Sequence, residues 1–185
     1  MTETPEDYAR HNARMQRVQA ARERMQARRT LERGLLIVHT GNGKGKSSSA
    51  FGMAIRSLGW GMKVGIVQYV KGAWETGEKN FFQANPDLLT FEVMGEGFTW
   101  DTQDRARDIE AARAAWERSK ELILDPQYDF IILDELNIVL RQDTLPIDEI
   151  VAFLKTRPLT KHICITGRNA KPELLELADL VTEFE

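Results

Sequence analysis

Gly41-Asn42-Gly43-Lys44-Gly45-Lys46-Ser47-Ser48 is the stretch on which the reading of this chain turns. An apolar run at residues 35–40 precedes it and a helical pattern at 47–58 follows at once. Strand, glycine-rich turn, Lys-Ser and helix are the mechanical parts of a phosphate-binding P-loop. Glycines let backbone N–H groups turn inward and approach anionic oxygens closely. The helix N-terminus adds unpaired donors and the positive end of a dipole. Lys46 brings a full charge to bound phosphates, and Lys44 stands beside it. The Ser47 hydroxyl is placed to ligate magnesium or manganese. The plain alternative is a glycine-rich turn without a ligand. Three glycines and two lysines so close together make that a costly turn. The strict pattern G-x-x-x-x-G-K-[ST] would put its first glycine at position 40, where this chain has Thr40. The loop is therefore a variant.

Beyond the loop, short apolar runs alternate with helical patterns. Strands are expected at 35–40, 63–70, 88–94, 130–133, 161–166 and 180–185. Helices are expected at 47–58, 102–124, 147–155 and 172–178. Such alternation implies an α/β fold: a mostly parallel central sheet with helices on both faces, the three-layer arrangement of P-loop NTPases. Residues 1–33 differ from the rest. They carry eight Arg and five acidic residues, a net of +3 against −3 for the whole chain of 185 residues. Met15, Val18 and Met25 fall near helical spacing, so the segment reads as a basic helical arm with a thin apolar stripe. A solvated arm and a helix docked on a partner surface are both open at this point. The expected division is an arm at 1–33 and a nucleotide-binding domain at 34–185.

The overall acidity excludes a generally electrostatic nucleic-acid binder. One cysteine, Cys164, allows no internal disulfide and reads as a small core residue. There is neither an apolar leader nor a membrane-length apolar stretch, so a soluble, cytoplasmic protein is expected.

Phe130-Ile131-Ile132-Leu133-Asp134-Glu135 is an apolar strand ending in two acids. In P-loop proteins this strand is expected beside the first one, with its acids reaching the metal. If both are extended, Asp134 and Glu135 point to opposite sides, one to the metal and the other to a neighbouring loop. Gly97-Phe98-Thr99-Trp100 sets two aromatics in a loop after a strand, where the ligand crevice of a parallel sheet lies. They either face a large flat partner or anchor the next helix. Gln68-Tyr69-Val70-Lys71-Gly72 borders the same crevice. Arg56, on the helix after the loop, either returns toward the phosphates or is solvated.

Taken in order, the loop at 41–47, Ala50-Phe51-Gly52, Arg56, Gln68-Tyr69-Val70-Lys71-Gly72, Gly97-Phe98-Thr99-Trp100, Leu133-Asp134-Glu135 and Ile165-Thr166-Gly167-Arg168 resemble the P-loop-type ATP:corrinoid adenosyltransferases. The resemblance covers residues 34–185. It implies transfer of the 5′-deoxyadenosyl group of ATP to the Co(I) of a corrinoid (cobalamin or cob(I)yrinic acid a,c-diamide), with release of triphosphate. It implies ATP binding by Gly41, Asn42, Gly43, Lys44, Gly45, Lys46, Ser47, Ser48 and Arg56, with Lys44 and Lys46 serving catalysis. Phe98 and Trp100 would lie on the corrinoid side and ease cobalt reduction by displacing its lower ligand. Ser47, Asp134 and Glu135 would hold the metal. It further implies a homodimer, with the arm covering the corrinoid site, and an electron-donating reductase such as a flavodoxin. Two departures stand out. Family members usually carry a basic closing segment beyond Thr182-Glu183-Phe184-Glu185, and Ser47 replaces the commoner Thr. The residues by themselves leave two other classes open: a P-loop NTPase or phosphotransferase releasing ADP, and a nucleic-acid-linked ATPase using the Arg-rich arm.

Overall fold

The computed structural model describes residues 4–28, 32–70, 76–87, 89–95 and 104–185. By internal contacts the chain falls into two compact units, Met1–Glu32 and Arg33–Glu185. The first is the helix α1 (Pro5–Ala27), with no buried residue. Thr4 caps it: the Thr4 hydroxyl accepts from the Asp7 N–H while the Asp7 carboxylate accepts from the Thr4 N–H. That reciprocal pair satisfies two donors a helix start leaves open.

The second unit is built on six strands: β1 (Leu36–Thr40), β2 (Val64–Gln68), β3 (Leu89–Val93), β4 (Phe130–Asp134), β5 (His162–Thr166) and β6 (Leu180–Glu183). They lie in the order β3-β2-β4-β5-β1-β6, and every pairing is parallel. The connecting helices are α2 (Lys46–Gly59), α3 (Gly77–Gln83), α4 (Arg105–Leu124), α5 (Leu136–Arg141), α6 (Ile147–Thr156) and α7 (Pro172–Leu177). No described helix is long and apolar enough to cross a membrane.

The strands read as unbroken apolar runs because helices cover both faces. Alternate residues serve alternate layers. Leu36, Val38, Ile131 and Leu133 pack with Trp116, Ile123, Leu140 and Leu154 on one face. Ile37, Ile66, Ile132 and Cys164 pack with Ala50, Phe51 and Phe82 on the other. Cys164 is buried and free, as a core residue should be.

Two short helices, α3 and α5, are not among the expected elements. The long helix starts at Arg105, where the Asp104 carboxylate accepts from the Ala106 and Arg107 N–H groups. One expectation needs correcting. The acidic strand β4 does not adjoin β1; β5 lies between them and pairs with both. The acids and the loop still share one end of the sheet, because every strand points the same way. That end, at the strands' carboxyl termini, is where open α/β sheets bind ligands.

Candidate nucleotide site

β1 delivers the chain into the loop, and Gly41 and Gly45 take φ values of 92° and 106°. Both lie in the left-handed region that glycine alone enters without strain. α2 then starts at Lys46, a residue only 6% exposed. Its Nζ donates to the Gly41 carbonyl at 2.9 Å and also to the Gly43 carbonyl. The ammonium thus caps the loop from inside. Burial pushes the Lys46 pKa down, and the Glu135 carboxylate opposes that shift.

The glycines have a second reason that the sequence alone did not suggest. The end of β6 lies against the loop. The Gly43 N–H donates to the Phe184 carbonyl at 2.7 Å, and the Phe184 N–H donates to the Thr40 carbonyl at 3.0 Å. A Cβ on Gly41 would stand 2.3 Å from the Phe184 carbonyl oxygen, and one on Gly43 would stand 2.5 Å from that of Glu185. Close backbone approach, and not only an anion, demands glycine at these positions.

Opposite the loop, Asp134 is 1% exposed. Its Oδ1 accepts from the Thr166 hydroxyl at 2.7 Å and its Oδ2 from the Gln68 side-chain amide at 2.9 Å. The Thr166 hydroxyl in turn accepts from the Glu135 N–H at 3.0 Å. Glu135 has φ 63°, so the strand has ended before it. The premise that the two acids alternate across an extended strand therefore fails. Both line a single cleft of about 600 Å³ with Lys44, Lys46, Ser47, Ser48 and Arg168. Burial and the neighbouring Asp134 raise the Glu135 pKa, while Lys46, Arg168 and Lys44 oppose the rise.

The cleft lining also includes Gly43 and Gly45 of the loop, and Phe51, Gln68, Val70, Thr76, Glu78, Ile138 and Arg141. Gly41 and Asn42 are not among its lining residues. Arg56 is not brought to it: ten residues into α2 it is exposed, about 15 Å along the helix from Lys46. Phe98 and Trp100, expected on the corrinoid side, fall outside the described residues, as do Lys71 and Gly72. Glu78 and Arg141 escaped the sequence reading because α3 and α5 did. Gln68 was noted as bordering the crevice, but its bond to Asp134 depends on the pairing of β2 with β4.

The profile of the ATP:corrinoid adenosyltransferase family, BtuR/CobO/CobP, matches residues 32–185. The chain belongs to that family. A corrinoid adenosyltransferase of Pseudomonas aeruginosa is 52% identical over 184 residues, covering 100% of this chain and 91% of its own. One from a Sinorhizobium species is 50% identical, covering 97% of this chain and 85% of its own. One from Escherichia coli K12 is 45% identical, covering 95% and 88%. An ATP-dependent transferase acting on corrinoids is thus the established class for this family member, and the nucleic-acid-linked ATPase is not favoured.

The donor set suits a magnesium ion. That ion usually takes one or two carboxylates and completes its shell with phosphates and water. Ser47, Glu135 and the remaining lone pairs of Asp134, which line one cleft, would supply such a partial shell. Glu135 also carries a testable cost. A carboxyl whose folded pKa lies above its ordinary value near 4.5 penalises the folded state at high pH. The penalty is complete above the folded pKa and vanishes below the unfolded one. Glu135→Gln is therefore expected to raise the melting temperature of the ligand-free protein at pH 7.5. The gain should shrink to nothing as pH falls below about 4. A thermal melt series across pH checks this, and an unchanged melting temperature at pH 7.5 would count against it.

Proposed function

We propose that this chain joins the 5′-carbon of ATP to the Co(I) centre of a corrinoid and releases triphosphate intact. The supporting observation is one cleft in which Lys46 and Lys44 face Glu135 and Arg168, with the Ser47 hydroxyl beside them. This arrangement is built to hold a polyanion and accept more charge on it. Co(I) of the reduced substrate is itself a strong nucleophile. Its electron pair forms the cobalt–carbon bond, and the pair of the breaking carbon–oxygen bond leaves with the triphosphate. No proton needs to be removed. The described histidines fit that economy. His39 is buried beneath the loop, His162 accepts from the Leu35 N–H, and His11 sits on the exposed arm helix.

The protein's part is positioning and charge neutralisation. Lys46 and Lys44 neutralise the departing oxygens, the loop N–H groups orient them, and Arg168 completes the positive wall. Magnesium, held by Ser47, Glu135 and Asp134, would add positive charge to the leaving group. On the same reading Phe98 and Trp100 serve the corrinoid side, the enzyme is a cytoplasmic homodimer, and a flavodoxin-like reductase supplies the electron.

The test is product identity. With ATP, magnesium and chemically reduced corrinoid, adenosylated corrinoid and triphosphate are expected in equal amounts. Release of ADP and orthophosphate without a cobalt–carbon bond would overturn the proposal. The aromatic pair is tested separately. Phe98→Ala with Trp100→Ala should slow adenosylation starting from the Co(II) corrinoid while sparing the reaction of pre-formed Co(I). Equal rates from both forms would remove their assigned role.

A further inference from the structure

Beneath the cleft, and lining none of it, runs a buried polar chain that the chemistry above does not use. His39 is the penultimate residue of β1, just before the loop. Its Nδ1 lies 3.2 Å from the Lys46 carbonyl, which can only accept, so the contact is a hydrogen bond in the Nδ1-protonated tautomer; the Cys164 Sγ lies 3.9 Å from the same nitrogen. Burial pushes the His39 pKa down, keeping the ring neutral. The ring also meets Phe184 edge-on, with centroids 5.3 Å apart. The backbone carbonyl of the same His39 accepts from Asn137 Nδ2 at 3.4 Å, and Nδ2 donates again to the Gly167 carbonyl at 3.0 Å.

Asn137 is fully buried, and its Oδ1 has no partner among the described residues. An unpaired buried acceptor destabilises a fold, and an apolar side chain would avoid the penalty. The amide is therefore explained by what its nitrogen does. Asn137 follows Glu135 by two residues on α5, and Gly167 precedes Arg168. Gly167 takes φ 126°, and a Cβ there would stand 2.8 Å from Asn137 Cβ and 3.1 Å from Glu135 Oε2. One chain of bonds thus links the Lys46 backbone, the end of β1, the start of α5 and the turn that presents Arg168.

We propose that His39 and Asn137 are positioning residues for adenosyl transfer: they set the phosphate loop in register with Glu135 and Arg168. The inference rests on the reading that ATP binds in this cleft. Neither residue touches substrate. Each acts through backbone carbonyls, so losing either lets the loop and the acidic wall drift apart. The two losses should overlap, because one broken link already frees the register.

Wild-type protein that binds ATP yet makes no adenosylated corrinoid would sink the functional reading alone, because the ATP affinities of the variants still test the register. ATP affinity is measured by equilibrium dialysis with magnesium, beside KM and kcat for both substrates. His39→Leu and Asn137→Ala are each expected to weaken ATP binding on the order of ten-fold, with the corrinoid KM changed by less than about two-fold. The double variant should be little worse than the weaker single. His39→Asn places a donor near the lost Nδ1 and should recover most of the affinity, whereas His39→Gln places it farther out and should not. That last comparison holds even if His39→Leu fails to fold. Additive losses, parallel rises in both KM values, or equal behaviour of His39→Asn and His39→Gln would each overturn the proposal.

Discussion

Replacing Lys46 with Met is expected to lower kcat for adenosyl transfer by about 10²–10³-fold while leaving the fold intact. The leaving triphosphate gains charge only as the carbon–oxygen bond breaks. A cation that follows that charge lowers the barrier more than it tightens ground-state binding, so kcat should fall more than the KM for ATP rises. Lys46 is suited to this because it is buried at the head of α2 and already points into the loop, toward the Gly41 and Gly43 carbonyls. Phosphate oxygens entering the cleft offer it anionic partners in place of neutral ones. Its depressed pKa means the charged form is penalised by burial in the free protein. Single-turnover kinetics with pre-reduced corrinoid would isolate the chemical step. A kcat within about three-fold of wild type would remove Lys46 from the mechanism.

Gly41→Ala is expected to destabilise the protein by about 2 kcal/mol or more and to raise the KM for ATP at least ten-fold. Two independent effects converge there. The backbone φ of 92° strains any side-chain-bearing residue. The added Cβ would also stand 2.3 Å from the Phe184 carbonyl oxygen and 2.7 Å from its nitrogen. Both neighbours are backbone atoms of the segment that holds Gly43, so the loop or the end of β6 must move. Gly52→Ala is the internal control. Gly52 sits within α2, and a Cβ there meets nothing within 4 Å. Helix propensity should make that change stabilising by up to about 1 kcal/mol. Urea unfolding of the two variants gives the comparison. Equal effects at the two glycines would mean that the contact with Phe184 constrains nothing.

Much of this protein was legible in local sequence. Three loop glycines with Lys46 and Ser47, set between an apolar strand and a helix, announce phosphate binding, because strand exit, backbone donors and helix dipole all act over a few consecutive residues. Alternating apolar runs announce a parallel sheet with both faces covered, because burial on two sides removes polar positions from a strand. The ordered motifs from Gly41 to Arg168 placed the chain in its family, and the family profile agrees.

What the tertiary structure alone decided depends on contacts between distant residues. Local sequence does not encode the insertion of β5 between β4 and β1; hydrogen-bonded pairing of whole strands does. Glu135 shares the Asp134 cleft because its backbone turns left-handed where Thr166, from another strand, accepts its N–H. Arg56 belongs to a motif, yet its place ten residues along α2 leaves it exposed and outside the cleft lining. The phosphate loop itself shows the division most clearly. Its residue types follow from the need to meet an anion. The glycine at position 41, one residue past the place where the strict pattern has its first, is required by Phe184, far along the chain, and only folding brings the two together.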